Sequence, residues 1–427
     1  MGNKKYRLNH SLLVIIPPAE VKRLSVGVGF LCSVLDASGV KFDVCDMNNN
    51  HMDFSSLVDR IRQDKPYVLG FSVHSSTAMT VYAYAKKLRK LFPERPFLMG
   101  GPEMISEYRP RKLTCLENTV VVSGNRSSDI TNALKQLGFP TSIAKPLPVF
   151  AYNLVPNYCW IGGFFTDTIL RQYPIITSYG CNNQCSFCFY SSDTKKYRWH
   201  PRKLIVFNEE IRRMLHFDTC GSITVWDSNF NQNYKFSIRC IDEKMSVTDM
   251  PWRINGFTLK NVDKYLIKKL RESNCKSVSI GVESLDLDVQ KQIGSFKQIS
   301  EFEYKEKINM LKENNINTVA SFVIGLQNDT FEKTMYTYQK AAEIGFDVCR
   351  WSFAIPFPGT PLHKYVTAKC KVFKSHLNCR FQLSTLTDDK IFNSITFESK
   401  EYPRKIRFAA YCEINKKQPF VEQGTDS

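Results

Sequence analysis

"SYGCNNQCSFCFYSS", residues 178–192, places Cys181, Cys185 and Cys188 within eight positions. Thiols at such short spacings fit no disulfide economically, and a tetrahedral zinc needs a fourth ligand close in space. A cubane iron-sulfur cluster held by three cysteines leaves one iron open to an exogenous ligand, which suits a triplet with no fourth cysteine close behind. The stretch directly follows the strand-like run "YPII" and stands at the head of an alternating series that decides the fold of everything downstream.

That series reads "YPIITSYG", a helix near 203–215, "SITVWDSNF", a helix near 233–245, "PWRINGF", a helix at 261–273, "SVSIGVES", a helix at 302–314, "TVASFVIGL", a helix at 330–344, and "VCRWSFAIPFPGTPL". Strands alternating with helices predict a parallel sheet. Six repeats fit an incomplete (β/α)6 TIM barrel over 171–365, because a full eightfold barrel takes about 250 residues. The active face of such a barrel lies at the strand carboxyl ends, where the cysteines fall.

Upstream, "SLLVII", "VKFDVCD", "YVLGFSV", "PFLMGG" and "TVVVSG" read as strands, interleaved with helices around "LCSVLDASG", "FSSLVDRIRQDK", "AMTVYAYAKKLRKLF" and "SDITNALKQLG". This predicts an α/β, doubly wound, Rossmann-like domain over 1–140. Ligands of such sheets bind beyond the strand carboxyl ends, here the loops opening at Pro17, Ser72, Gly100 and Gly124. "PPAEVKRLSVGVGF" reads as a long loop in which Gly27 and Gly29 let backbone approach a flat or anionic ligand, or simply form a loose connection. Residues 141–170, rich in proline and aromatics, read as a packed linker. Residues 366–427 form a carboxyl-terminal extension expected to fold over the barrel mouth and to fray at "KKQPFVEQGTDS".

Composition sets the class. The 427 residues, 43% hydrophobic and 23% charged, can bury cores for two or three domains of ordinary size. "SLLVIIPPAE" is stopped by Pro17 and Pro18 and lacks a small-residue cleavage site, so a buried strand is expected rather than a signal peptide, and a cytoplasmic, membrane-free chain. In that compartment the 14 cysteines stay reduced and available to metal. A net charge of +17 favours anionic partners or reflects a basic solvated surface; no nucleic-acid motif sharpens it.

"CNNQCSFC", with Phe187 before its last cysteine, resembles the cluster motif of the radical S-adenosylmethionine (radical SAM) enzymes. The resemblance implies a 4Fe-4S cluster on Cys181, Cys185 and Cys188, S-adenosylmethionine chelated at the open iron, and reductive cleavage to a 5'-deoxyadenosyl radical. An external electron donor such as flavodoxin or ferredoxin is then required. "SIGVES" and "SFVIGLQNDT" are similar to further family motifs, which assigns Glu283 to the ribose or methionine part of the cofactor, Val323 and Ile324 to adenine packing, and Gly325 to close backbone approach. "VWDSNFNQN" resembles a "DDNF" motif and adds Asp227 and Asn229; "PFPGTPL" resembles the end of the sixth strand in the cobalamin-associated branch. The Gly-Gly-Glu-Pro sequence of many relatives is absent, and "LQND" departs from the order after the fifth strand.

The amino-terminal segments resemble the cobalamin-binding module ahead of many radical SAM barrels, implying cobalamin near Gly27, Gly29, Ser72, His74, Ser76, Thr77, Gly100, Gly101 and Gly124. The Asp-x-His-x-x-Gly cobalt-ligand pattern is missing, since "DMNNNHMDF" has His51 out of register, so a relic domain that has lost cobalamin stays open. The resemblance implies methylation of an unactivated carbon of a small-molecule or peptide substrate. Open alternatives are cobalamin-associated rearrangement, cyclisation or oxidation, RNA modification, and a structural metal or electron-transfer module with Cys159 or Cys220 as fourth ligand.

Overall fold

The structure is a computed structural model and describes residues 11–19, 24–47, 49–105, 111–140, 146–158, 172–216, 221–294, 298–373 and 388–417. The chain divides into two compact units, Met1–Thr166 and Asp167–Ser427.

In the first unit, β1 (Ser11–Ile16), β2 (Lys41–Asp46), β3 (Val68–Ser72), β4 (Phe97–Gly100) and β5 (Thr119–Val121) form one parallel sheet in the order β2-β1-β3-β4-β5. Leu12 to Ile16 are all buried, and each such side chain contributes roughly 1.5–3 kcal/mol relative to exposure. The connecting helices are α1 (Val26–Ala37), α2 (Phe54–Asp64), α3 (Ala78–Leu91), the short α4 (Pro102–Ile105) and α5 (Arg111–Thr114), and α6 (Ser127–Gln136). Helix α1 packs with α6, while Phe54 of α2 meets Tyr84 of α3 at 4.9 Å. The strand order turns back at β1, and the loops beside such a reversal are where doubly wound sheets bind ligands.

Two details depart from the expectation. Gly27 and Gly29 lie in the first turn of α1, not in a loop; burial of Val28 and Phe30 outweighs the low helix propensity of glycine there. Residues 146–158 belong to this first unit: Arg126 bridges to Phe150, the Asn157 N–H donates to the Gly29 carbonyl at 3.0 Å, and the Ser33 hydroxyl donates to the Val155 carbonyl at 2.7 Å. A side chain at position 29 would collide with Tyr158, so that glycine serves the packing of this segment.

In the second unit, β6 (Gln172–Ile175) is followed by a small antiparallel pair, β7 (Ser178–Tyr179) and β8 (His200–Pro201), that frames the cysteine loop. Then come α7 (Leu204–Met214), β9 (Ser222–Trp226), α8 (Tyr234–Val247), β10 (Trp252–Phe257), α9 (Lys264–Glu272), β11 (Cys275–Glu283), α10 (Leu287–Ile293), α11 (Glu301–Glu313), β12 (Asn317–Ile324), α12 (Phe331–Ile344) and β13 (Val348–Phe353). Strands β6 and β9 to β13 pair in chain order into one six-stranded parallel sheet, the incomplete barrel that the repeats predict. Its faces differ sharply: Trp252, Ile254, Val278, Ile280, Ala320 and Phe322 are buried, while their neighbours along each strand are half-exposed. Helix α10, unanticipated from the sequence, is short, and Asp286 caps it by accepting from the Asp288 and Val289 N–H groups.

The extension contains α13 (Pro361–Lys369), the antiparallel pair of β14 (Lys371–Val372) with β15 (Phe397–Glu398), α14 (Asp388–Ser394) and α15 (Arg404–Lys417), the last packed on α12. No helix of the described residues is long and apolar enough to cross a membrane.

Candidate active site

The cysteine loop leaves β6 through Thr177 and Ser178, which are clamped by one buried carboxylate. Asp227, just past the end of β9, accepts from the Thr177 N–H at 2.7 Å, the Thr177 hydroxyl at 2.5 Å and the Ser178 hydroxyl at 2.6 Å. Burial raises its carboxyl pKa, and these same donors pull it back. The side chain expected to meet the cofactor is thus committed to fixing the loop's point of departure. Gly180, at φ +81°, then turns the chain so tightly that a Cβ would strike the Arg198 and Tyr197 carbonyls.

Cys181 is half-buried and its thiol donates to the Gln232 amide oxygen at 3.4 Å; the same oxygen accepts from the Asn182 N–H and from the Asn229 amide. Gln232 joins the site although the sequence reading passed over it; it lies inside the "VWDSNFNQN" segment already singled out. The Asn229 Oδ1 is buried without a hydrogen-bond partner among the described residues, and an acceptor left in that state is costly unless a ligand completes it.

Cys185 is buried in an apolar cluster with Val289 and Ile293 of α10, Leu326, Ala354, Leu362 and Phe397; Phe187, Cys188 and Val323 pack at its edge. Ser186 stitches the loop in place, donating its N–H to the Ile293 carbonyl and accepting from the Leu362 N–H. Half-buried Tyr190 completes the wall, its phenol pushed up to about 12 by burial, with Ser228 hydrogen-bonded to it and the thiols of Cys188 and Cys181 nearby.

All three thiols are outside any disulfide. Among the described residues, no three His, Cys, Asp or Glu side chains come together as ligands of a single metal ion. Thiols spread along one loop fit a cluster in which each cysteine holds a different iron. Cys159 and Cys220, the candidate fourth ligands, lie outside the described residues.

The remaining expected contacts divide. Glu283 ends β11 in the left-handed region at φ +70°, buried, next to a register shift against β12. Val323 and Ile324 point to opposite faces, as successive strand residues must, so Ile324 sits on the helix-packed side and only Val323 meets the cysteine cluster. Gly325, at φ +85°, gives close approach to the Arg407 guanidinium of α15, whose Nε lies 2.7 Å from where a Cβ would stand, and not to an open cleft.

In the first unit, Ser72, His74, Ser76 and Thr77 follow β3, and Gly100 and Gly101 follow β4. The two loops are tied by the Val73 N–H donating to the Gly100 carbonyl at 2.7 Å and by the Ser75 hydroxyl donating to Glu103, a buried carboxylate that the sequence reading missed, also at 2.7 Å. Thr77 closes the β3 loop on His74, whose side chain is exposed. Gly124 follows β5 and lies against Asp129, which caps α6, while Gly27 faces open space at the start of α1. The small residues of the β3 and β4 loops therefore form one group, from which Gly29 stands apart.

Comparison with known proteins agrees with this architecture. The Radical SAM superfamily profile matches residues 175–341. The chain is 25% identical over 400 residues to an uncharacterized methyltransferase of Pyrococcus horikoshii, covering 84% of this chain and 83% of that protein. It is 32% identical over 379 residues to the anaerobic magnesium-protoporphyrin IX monomethyl ester cyclase of Cereibacter sphaeroides, covering 81% of this chain and 61% of the cyclase. Among solved structures, the radical S-adenosylmethionine methyltransferase TsrM of Kitasatospora setae superposes with TM-score 0.68 at 14% identity, over 84% of this chain and 76% of TsrM. The cobalamin-dependent S-adenosylmethionine radical enzyme OxsB, with aqua-cobalamin bound, gives 0.62 at 14%, over 78% and 52%. At such identities the structural likeness is one of fold. The Radical SAM superfamily match, from the end of β6 into α12, shows that the second unit carries a radical SAM domain.

Proposed function

We propose that the chain is a cobalamin-dependent radical SAM enzyme that methylates an unactivated carbon. The observation that carries this reading is the placement of Cys181, Cys185 and Cys188 on one clamped loop at the carboxyl end of the first strand of a six-stranded parallel sheet. Those cysteines would hold a 4Fe-4S cluster, Asn229, Glu283 and Val323 would face S-adenosylmethionine, and the loops at Ser72–Thr77 and Gly100–Gly101 would line cobalamin. When bound, the cluster supplies an electron for sulfonium cleavage and cobalamin supplies a transferable methyl group.

The chain's own residues do the positioning. Asp227 sets where the loop leaves β6, Gln232 orients Cys181, and the cluster around Val289 and Ile293 keeps water from Cys185. The reduction requires an external donor such as flavodoxin or ferredoxin.

A second reading is favoured by the 32% identity to a cyclase: radical ring formation or oxidation without methyl transfer. Anaerobic purification with hydroxocobalamin, followed by turnover with methyl-labelled S-adenosylmethionine, separates the two. Corrin retained by the full chain and label passed to a co-purifying or supplied acceptor support methyl transfer. Corrin without label in product supports the cyclase-type reading, and absence of corrin removes cobalamin from the account.

A further inference from the structure

Parallel sheets are ordinarily covered on both faces, and the interior of a closed barrel is filled by branched apolar side chains. The six-stranded sheet does neither. On the face opposite its helices, Trp226 of β9 is 49% exposed, Arg350 of β13 is exposed, and Arg253, Asn255, Ser279 and Ser321 are half-exposed. Register makes them neighbours on one surface: Trp226 pairs with Asn255 and Ser321 with Arg350, and the Ser279 hydroxyl donates to Asn255 at 2.8 Å.

The charge on this face is one-sided. Arg253 and Arg350 make no ion pair or hydrogen bond among the described residues, and the strands bring no carboxylate to the face below Glu283. Two guanidinium groups on one face with no carboxylate beside them make that face attractive to anions. Arg350 is in register with Ser321, one side-chain step of about 7 Å below Val323, which packs at the edge of the Cys185 cluster. Arg253 is in register with Ser277, and Ser277 with Asn317, so it lies roughly 13 Å deeper along the strands.

We propose that this inner face binds the substrate and that the substrate is a flat organic acid: Arg350 and Arg253 anchor carboxylate or phosphate groups, and Trp226 stacks on the apolar body. Guanidinium groups bind both kinds of anion through paired N–H donors. The proposal rests on the radical SAM reading for what happens to the bound acid, but not for the binding itself.

The test is equilibrium binding to the full chain under anaerobic conditions with 2-naphthoate, its neutral isostere 2-naphthamide, and 2-naphthyl phosphate. The acid or the phosphate should bind at least roughly tenfold more tightly than the amide, the stronger of the two naming the anion class. Arg350→Met and Arg253→Met should each erode that preference with unchanged circular dichroism, Arg350→Lys should restore part of it, and Trp226→Leu should weaken all three probes alike. Equal binding of all three probes, no binding of any probe, or full preference retained in both methionine variants overturns the proposal. Cys181→Ala, which abolishes the proposed cluster, should leave the acid preference intact. Failure of S-adenosylmethionine cleavage by the wild-type chain would therefore count against the radical SAM reading alone.

Discussion

Asp329 is a carboxyl group held beneath the Gly325 turn, accepting from the Gly325 N–H at 2.7 Å and from the Thr334 hydroxyl, to which the Tyr402 phenol also donates. Burial raises its pKa to about 7, although those hydrogen bonds and the Arg407 guanidinium pull the other way. Arg407, fully buried, donates to the Phe397 carbonyl and Ser399 hydroxyl and is itself lowered to about 10 by burial. In the unfolded chain the Asp329 carboxyl ionises near 3.8, so between about 4 and 7 the folded state keeps a proton that the unfolded state has released. Stability therefore falls as pH rises through that window and levels off above it. Asp329→Asn has no such proton, so its melting temperature should gain on wild type between about pH 5 and about pH 8; parallel profiles would refute this. None of it was legible in "SFVIGLQNDT", because the partner that makes Gly325 necessary arrives from the carboxyl-terminal extension. The cysteines were legible because their meaning lies in spacing alone.

At the scale of elements, strands and long helices followed the sequence closely, since apolar periodicity over ten residues overrides local accidents. The exceptions are instructive. Helix α1 begins without a side-chain cap and through two glycines, so "VGVGF" looks like a loop until Val28 and Phe30 are seen buried. Helix α10 is too short to show a period, yet Val289 and Ile293 pack on Cys185. Asp227 joins the end of β9 to the exit of β6, and a sequence cannot say where a strand-end carboxylate spends its hydrogen bonds. Asp227→Ala leaves the Thr177 N–H and two hydroxyls unsatisfied, which should cost about 3 kcal/mol in denaturant unfolding and lower the iron retained after reconstitution. Wild-type stability and iron content in that variant would show that the clamp does not position the loop.

For the whole molecule, the sequence separates an amino-terminal doubly wound sheet from a barrel, and the structure contains both, with the division between compact units at Thr166 and Asp167. The stretch expected to be a linker is partly explained by contacts invisible in sequence, those of Val155 and Asn157 with α1. The net charge of +17 finds one concrete expression in the inner face of the six-stranded sheet, where alternation along each strand brings Arg253 and Arg350 to the same side. The central claim is an iron left without a protein ligand on the loop of Cys181, Cys185 and Cys188. Its most direct test is low-temperature electron paramagnetic resonance of the anaerobically reconstituted chain, reduced with dithionite, before and after S-adenosylmethionine. The account predicts about four irons per chain and a cluster signal that S-adenosylmethionine shifts, with both lost when any of the three cysteines becomes alanine. Stoichiometric zinc, or a cluster signal indifferent to S-adenosylmethionine, would contradict it.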